Sequence, residues 1–469
     1  MLYSELHDLE LLPAALFGRL AEEPGSAFLD SALPDEHGPG RWSFLAWDPF
    51  LTCSSRGDQI LVQEGGSRRH VTDHPLKFLR SRLQRYQTRE KPASVPFASG
   101  AIGCLSYDLC HSIERLPRTT TDDLGLPELF LSFHDFILAF DHLSRKWWLA
   151  GDDLQLDGRP SLARRRDEVL ARAEKARSSP GPILAAGSPV RFRSNFERPD
   201  YLAAILRAKH YIREGDIYQV NLSQRFQGQA PLPAWPLYLR LRQTNPAPFA
   251  AYLHGPDFQV LSSSPERFLR VEAGRVETRP IKGTRPRGET PAADHRLAQE
   301  LLSSEKDRAE LNMIVDLERN DLGRVCAYGS VQVTRHAALE SYARVHHLVS
   351  TVAGRLQPGK DAVDLIRAAF PGGSITGAPK IRAMQIIDEL EPTARGVYTG
   401  AIGWLGFNGD LDLNIAIRTM IVKGGEVFFS AGGGIVADSD PELEYQETLD
   451  KARALFEALA PVDSQQGVV

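Results

Sequence analysis

Residues 279–288 read Arg-Pro-Ile-Lys-Gly-Thr-Arg-Pro-Arg-Gly, so that one lysine, Lys282, lies between apolar and glycine neighbours beside a cluster of arginines. An amine with little access to water loses part of its charged form and can then act as a nucleophile or a base. A basic surface loop with two prolines would explain the same composition. The motifs on either side of this stretch favour the first interpretation.

Four further strings accompany the lysine stretch in the C-terminal part of the chain. They are Ser-Ser-Ser-Pro-Glu-Arg-Phe at 262–268, Lys-Asp-Arg-Ala-Glu-Leu-Asn-Met-Ile-Val-Asp-Leu-Glu-Arg-Asn-Asp-Leu-Gly at 306–323, Phe-Pro-Gly-Gly-Ser-Ile-Thr-Gly-Ala-Pro-Lys at 370–380, and Gly-Gly-Gly-Ile-Val-Ala-Asp-Ser at 432–439. Together the five strings closely resemble, in the same order, the motifs of the chorismate-utilising enzymes. At position 282 the chain resembles the branch whose large subunit aminates chorismate, because that branch has lysine at this position. The branch that forms anthranilate has alanine there.

The resemblance implies a reaction and a role for three side chains. Lys282 would attack C2 of chorismate while Glu266 protonates the departing C4 hydroxyl, and ammonia would then enter at C4 and expel the lysine. His347 lies in a family motif near the leaving group, although a buried core histidine is almost equally consistent with the sequence. The product would be 4-amino-4-deoxychorismate, for p-aminobenzoate and folate synthesis.

The resemblance also implies a set of substrate contacts. Tyr398 and Arg418 would hold one carboxylate, and the backbone N–H groups of the glycine run would support them. The complete predicted set is Gln219, Gly283, Thr284, Tyr398, Arg418, Gly432, Gly433, Gly434 and Lys451.

Gln219 also excludes one reaction class. Family members that add water to chorismate have a lysine base at this position, and an amide cannot abstract a proton at neutral pH. The chain is therefore not expected to make isochorismate or salicylate.

Two pairs of acids recur at a spacing of three residues on predicted helices. Asp307 and Glu310 form the first pair, and Glu444 and Glu447 form the second. Such pairs usually belong to a solvated helix face, but these two lie inside the family motifs. The resemblance implies Mg²⁺, with Glu310 and Glu447 as direct ligands and Asp307 and Glu444 acting through water.

The predicted fold is α+β, with large antiparallel sheets flanked by helices. Helical patterns cover 199–215 and 290–320, and a strand is predicted at 216–223. A hairpin is predicted from 130–140 and 147–150, and a three-stranded meander from 397–407, 412–422 and 427–431.

The strongest break in the pattern is Ser-Ser-Pro-Gly-Pro at 178–182. We therefore predict an N-terminal subdomain at 1–187, a catalytic domain at 188–460 and a tail at 461–469. The resemblance implies that strands of the first part join the same layered structure as the second.

Composition describes an ordinary soluble protein: 469 residues, 42% hydrophobic and 25% charged, with a net charge of -5. This charge gives no reason to expect nucleic-acid binding. The N-terminus is acidic and the apolar stretch at 129–140 is interrupted, so neither an export signal nor a membrane span is predicted. Four cysteines without CxxC spacing fit packing residues in a reducing cytoplasm.

The sequence also predicts partners. None of the cysteines has the Gly-x-Cys-x-Gly context of a glutamine amidotransferase, so ammonia would come from a separate glutaminase subunit in a heterodimer. Ser31, Arg41 and Ser43 resemble a pocket in which relatives bind tryptophan, although ordinary packing explains them as well. Two alternatives stay open, namely an anthranilate-forming enzyme and a catalytically silent chorismate-binding protein.

Overall fold

Two antiparallel β-sheets form the middle of the molecule. The structure is a computed structural model, and it describes residues 2–7, 9–33, 40–88, 95–154, 156–177, 190–342 and 345–461. The strands are β1 (Leu2–Leu6), β2 (Ala27–Asp30), β3 (Trp42–Ala46), β4 (Leu51–Arg56), β5 (Gln59–Glu64), β6 (Ser67–Thr72), β7 (Gly100–Leu105), β8 (Leu129–His134), β9 (Phe136–Asp141), β10 (Lys146–Gly151), β11 (Arg193–Ser194), β12 (Gln219–Gln229), β13 (Phe249–His254), β14 (Phe258–Ser264), β15 (Arg267–Glu272), β16 (Arg275–Arg279), β17 (Ile281–Pro286), β18 (Gln332–Ser341), β19 (Val345–Arg355), β20 (Gly377–Ala378), β21 (Ala401–Gly406), β22 (Leu411–Ile415), β23 (Thr419–Lys423) and β24 (Glu426–Ile435).

Helices cover the outer faces of both sheets. They are α1 (Pro13–Phe17), α2 (Pro75–Arg85), α3 (Leu162–Arg177), α4 (Arg198–Arg213), α5 (Ala234–Thr244), α6 (Pro291–Ser303), α7 (Glu305–Gly323), α8 (Ala362–Ala369), α9 (Lys380–Leu390) and α10 (Pro441–Leu459). The predicted helical stretch at 290–320 is two helices, because Ser304 ends α6 and its side chain accepts a hydrogen bond from the N–H of Asp307 to begin α7.

Strands from both ends of the chain share each sheet. The first sheet has the order β1-β10-β9-β3-β2-β13-β14-β23-β24-β12-β11, with β20 beside β12. The second has the order β17-β19-β16-β15-β22-β21-β7-β8-β4-β5-β6, with β18 beside β19. Since β2 pairs with β13 and β7 pairs with β21, the N-terminal strands complete the sheets of the C-terminal part.

The layers are helix, sheet, sheet and helix. Apolar side chains of both sheets, such as Phe44 and Val260 from the first and Ile102 from the second, form one shared core. Helices α1, α3, α5 and α10 pack on the outer face of the first sheet, and α2, α6, α7 and α8 pack on the second. Helices α4 and α9 pack on β12. The predicted α+β class, with antiparallel sheets flanked by helices, is confirmed.

Two predicted strands were wrong in the same way. Residues 130–140 are not one strand, because β8 belongs to the second sheet and β9 to the first. Residues 412–422 likewise divide between β22 and β23 in different sheets. Strands that are buried on both faces have no alternation of apolar and polar residues, so periodicity cannot reveal where the chain crosses between sheets.

The predicted domain boundary at residues 187 and 188 lies outside the described residues, as do residues 462–469 of the predicted tail. All four cysteines are free and buried, as packing residues would be. Within the described ranges, none of the helices has the length and apolar character needed to cross a lipid bilayer.

Candidate active site

A cavity of about 540 Å³ brings together residues from both sheets, from α7 and from α10. Most of the side chains and glycines singled out in the sequence line it: Glu266, Lys282, Gly283, Thr284, Asp307, Glu310, His347, Tyr398, Arg418, Gly432, Gly434, Glu447 and Lys451. Gln219, Gly433 and Glu444 are predicted site residues that do not line it.

Lys282 lies on β17, and its Nζ donates to the carbonyl oxygen of Ser374 at 3.3 Å. Burial lowers its pKa below the usual lysine range, and the positive charge of Lys451 adds to this effect, whereas Glu310 and Glu266 oppose it. The cation that lowers the pKa of Lys282 is therefore Lys451 and not one of the arginines of residues 279–288. Each arginine is ion-paired with an acid, in the pairs Arg279–Glu340, Arg285–Glu300 and Arg287–Asp294.

Gly283 lets the lysine strand lie close to the helices. Its φ is 73°, a left-handed value that L side chains rarely adopt. A Cβ atom here would lie 2.7 Å from Leu301 Cδ1 and 2.9 Å from Asp307 Cγ. Any side chain would therefore push β17 away from α6 and α7, and Lys282 would move with it.

Glu266 is a buried acid that lines the same cavity. Its side chain is buried, and this burial raises its pKa, while Ser374 and the charge of Lys282 lower it in part. A carboxyl group with a raised pKa keeps more of its proton near neutral pH. The geometry therefore suits a proton donor that faces the lysine.

His347 lies opposite Thr284 in the pairing of β17 with β19, and its Nδ1 is 2.9 Å from Thr284 Oγ1. Burial lowers its pKa to about 4, and the charge of Arg418 contributes. The imidazole is therefore neutral near pH 7, so it can hydrogen-bond a ligand without adding positive charge.

Arg418 lies where the chain crosses from β22 to β23, with a φ of 50°. The sequence placed it and Tyr398 within strands, but Arg418 lies between β22 and β23, and Tyr398 lies between α9 and β21. Burial lowers the pKa of Arg418, and within the described part of the chain no acid forms an ion pair with it. A partly buried cation without an acid beside it is suited to bind an anionic ligand.

The glycine run lies at the end of the first sheet. β23 pairs with β24 only as far as Phe429, so residues 430–435 pair with β12 and their other edge faces the cavity. Gly433 does not line the cavity, and a Cβ on it would lie 3.2 Å from Glu444 Oε2 and 3.4 Å from Glu447 Oε1. The glycines therefore leave room both for a ligand and for the acids of α10.

Three of the four predicted metal-binding acids face the cavity. Burial raises the pKa of Glu310, the positive charges of Lys282 and Lys306 oppose this rise, and the negative charges of Asp307 and Glu447 add to it. Burial also acts to raise the pKa of Glu447, but the adjoining Lys451, whose Nζ is 2.6 Å from Glu447 Oε1, lowers it overall. Glu444 lies behind Gly433, and its Oε1 accepts from Ser439 Oγ at 2.6 Å.

These acids fit a divalent cation whose coordination shell is completed by the bound ligand. The residues that the structure describes contain no preformed group of three or more His, Cys, Asp or Glu side chains arranged to hold a metal. Glu310 and Glu447 nevertheless repel each other across one cavity, and a hard cation would relieve this repulsion. Mg²⁺ commonly takes only one or two protein carboxylates, with water and an anionic ligand completing its shell.

Gln219 lies behind Gly434 rather than in the cavity. Its side chain is completely buried, and neither amide atom has a hydrogen-bond partner among the described residues. A Cβ on Gly434 would lie 2.6 Å from its Nε2. Gln219 is therefore separated from the cavity by Gly434.

Several cavity residues were missed from the sequence. Lys306 and Ser374 belong to the quoted motifs, so their motif positions were an available signal. Asn221 was noticed only as a member of a predicted strand, and its buried Oδ1 has no partner within the described ranges. A single asparagine in a strand carries no recognisable signal of a site.

A second cavity, of about 580 Å³, contains two of the three residues predicted to form a tryptophan pocket. Ser31 and Arg41 line it, and the guanidinium of Arg41 forms two hydrogen bonds with Asp141, of 3.0 and 2.8 Å. Ser43 does not line it. Its buried Oγ instead contacts Asp30 Oδ1 at 3.2 Å and His142 Nε2 at 2.8 Å.

Comparison with known proteins identifies the family and the fold. The sequence profile of the chorismate binding enzymes matches residues 29–457. The chain is 42% identical over 424 residues to aminodeoxychorismate synthase component 1 of Bacillus subtilis (strain 168), covering 90% of this chain and 89% of that protein. It is 40% identical over 458 residues to anthranilate synthase component 1 of Acetivibrio thermocellus, covering 95% and 92%.

Among solved structures, anthranilate synthase component I from Streptococcus pneumoniae TIGR4 superposes with a TM-score of 0.79 at 35% sequence identity. The superposition covers 96% of this chain and 98% of that one. The architecture of two sheets and flanking helices is therefore shared over nearly the whole length of both chains.

Proposed function

Since this chain belongs to the family of chorismate-binding enzymes, we propose that it is the synthase component of an aminodeoxychorismate synthase. It would convert chorismate and ammonia to 4-amino-4-deoxychorismate and water, for p-aminobenzoate and folate synthesis. Overall sequence identity does not decide between this activity and anthranilate synthesis, because the two kinds of relative are 42% and 40% identical to the chain. The choice between the two activities therefore rests on the residues of the site.

The observation that carries the proposal is Lys282. Its amine lies in the cavity beside Glu266, and burial lowers its pKa. A lysine that is partly neutral can attack a ring carbon, and a carboxyl that keeps its proton can assist the leaving group. The anthranilate-forming branch, with alanine at this position, offers no such nucleophile.

The proposed reaction balances in two substitutions. In the first, the Lys282 amine forms a bond to C2, both ring double bonds shift, and the C4–O bond breaks as Glu266 gives a proton to the hydroxyl, which leaves as water. In the second, ammonia forms a bond to C4, both double bonds shift back, and the lysine leaves C2 as an amine. The proton that ammonia loses when it becomes the product amine restores the acid form of Glu266.

Arg418 and Tyr398 would bind one substrate carboxylate, and the open edge of the glycine run would donate backbone N–H groups beside them. The neutral His347 would lie near the leaving hydroxyl. Glu310 and Glu447 would hold Mg²⁺, supported by Asp307 and Glu444, and the bound cation would neutralise the second carboxylate of the substrate.

The ammonia would come from a glutaminase component. The four cysteines of this chain are buried, and burial raises the pKa of Cys53 and Cys104 to about 12. A thiol that remains protonated is a poor nucleophile, so these cysteines are unsuited to glutamine hydrolysis. We therefore propose a heterodimer with a separate glutamine amidotransferase.

The test is to incubate the purified protein with chorismate, Mg²⁺ and ammonium salt and to identify the product by chromatography and mass spectrometry. Formation of 4-amino-4-deoxychorismate supports the proposal. Formation of anthranilate would assign the chain to the anthranilate-forming branch. Unchanged chorismate would support the alternative of a catalytically silent chorismate-binding protein.

The second cavity supports a further proposal of tryptophan binding, in which Ser31 and Arg41 line the pocket and Ser43 stiffens its wall. We expect isothermal calorimetry to detect binding of L-tryptophan, and Arg41→Ala to weaken it. Absence of heat with the wild-type protein, at tryptophan concentrations up to millimolar, would contradict this proposal.

A further inference from the structure

Asn245 contacts the arginine that faces the proposed substrate carboxylate. Its Oδ1 accepts a hydrogen bond from Arg418 Nη1 at 3.2 Å. Within the described ranges, this amide is the only side-chain acceptor that contacts the Arg418 guanidinium. The guanidinium therefore has most of its donors free for a ligand.

The asparagine itself is held firmly. It follows α5 directly, and its backbone N–H donates to Leu241 at 2.8 Å. Its Nδ2 donates to the carbonyl oxygen of Ser263 at 3.3 Å, and the Ser263 hydroxyl donates back to its carbonyl oxygen. The N–H of Ser263 in turn donates to the carbonyl oxygen of Arg418 at 3.1 Å.

These bonds connect the end of α5, strand β14 and the crossover between the two sheets. They fix Arg418 at two points, its backbone carbonyl and its guanidinium. A free arginine side chain loses rotamer entropy when it is ordered. An arginine that is already ordered before the ligand arrives loses less on binding.

An amide and an acid at position 245 would act differently on the Arg418 guanidinium. An aspartate has nearly the same shape, but its carboxylate would pair with the guanidinium and occupy the donors that an anionic ligand needs. The neutral amide orients the arginine and leaves its charge uncompensated. This is consistent with the observation that no acid among the described residues forms an ion pair with Arg418.

We propose that Asn245 is a positioning residue that presents the Arg418 guanidinium, oriented but not neutralised, to a carboxylate of the substrate. The inference rests on the proposed function, because it takes chorismate as the ligand of the cavity. It adds a residue outside the cavity wall to the set that determines substrate affinity.

The test compares Asn245→Asp and Asn245→Ala with the wild-type protein in steady-state turnover of chorismate with ammonium. Asn245→Asp should raise KM for chorismate by roughly 10- to 100-fold at neutral pH, the range expected when a charge-assisted hydrogen bond is lost. Asn245→Ala should raise KM only about fivefold. In both variants kcat at saturating chorismate should change much less than KM.

In an Arg418→Gln background, Asn245→Asp should add little further effect, since the charge that it neutralises is gone. These readouts separate a positioning role from a general loss of structure.

Gln243→Glu is the matched control. It makes the same amide-to-acid change at an exposed position on α5, two residues away, and should leave KM within about twofold of wild type. A wild-type KM in Asn245→Asp would overturn the inference, as would a fall in kcat without a rise in KM in Asn245→Ala. If the wild-type protein itself forms no aminated product, it is the proposed function that fails, and the two failures are therefore distinct.

Discussion

Lys282→Ala should abolish formation of 4-amino-4-deoxychorismate, and it should also abolish a covalent adduct that the wild-type protein forms with chorismate. With chorismate and Mg²⁺ but without ammonia, the second substitution cannot proceed, so the lysine adduct should accumulate unless water discharges it. Intact-protein mass spectrometry should show a gain equal to the mass of chorismate minus water. Peptide mapping should place the gain on the peptide that contains Lys282.

The amine must be neutral when it attacks, and this requirement gives the adduct a pH signature. Burial lowers the pKa of Lys282, so the neutral fraction at a given pH exceeds that of an exposed lysine. The rate of adduct formation should rise with pH as the amine loses its proton, and it should fall again as Glu266 loses the proton that the leaving hydroxyl needs. At low pH Glu310 and Glu266 become protonated, and the negative charges that raise the pKa of Lys282 are lost. The lysine is nevertheless in its ammonium form at that pH and cannot attack.

Lys360→Ala, at an exposed position, should keep both the adduct and the rate. The nucleophile hypothesis would be wrong if rapid-quench samples contain no adduct while Lys282→Ala retains the wild-type rate with ammonium. That result would also remove the main support for choosing the aminating branch over the anthranilate-forming one.

The sequence predicted the local features of this site better than its spatial arrangement. The spacing of Asp307 and Glu310, and of Glu444 and Glu447, placed each pair correctly on a helix, since side chains three residues apart share a face. The fold class followed from strand and helix patterns together with the resemblance. These signals are local and depend on a few neighbouring residues.

The errors concern contacts between segments that are distant in sequence. Arg418 has a left-handed φ at a crossover between sheets, and an arginine, unlike a glycine, gives no sequence signal for this conformation. Lys451 lies 169 positions after Lys282, so its effect on the lysine pKa could not be foreseen. The interaction of Asn245 with Arg418 spans 173 residues and was missed for the same reason.

Glu310→Gln and Glu447→Gln should each abolish turnover at modest Mg²⁺ concentrations. Glutamine keeps the shape of the side chain but removes the charge, and a hard cation held by so few protein carboxylates depends strongly on each one. We therefore expect both variants to lose Mg²⁺-dependent binding of chorismate in calorimetry as well as activity. A large excess of Mg²⁺ should restore part of the activity if the loss lies in cation affinity.

Stability measurements separate this effect from misfolding. The pKa of Glu310 is raised by burial and by like charges, so its ionised form opposes folding at neutral pH, and Glu310→Gln should leave the thermal midpoint unchanged or slightly higher. Glu447→Gln breaks a half-exposed ion pair with Lys451, whose loss costs about 1 kcal/mol or less. Asp316→Asn on α7 and Glu442→Gln on α10 remove exposed charges from the same helices and should retain activity. Near-normal turnover of either Glu310→Gln or Glu447→Gln at modest Mg²⁺ would exclude that residue as a direct metal ligand.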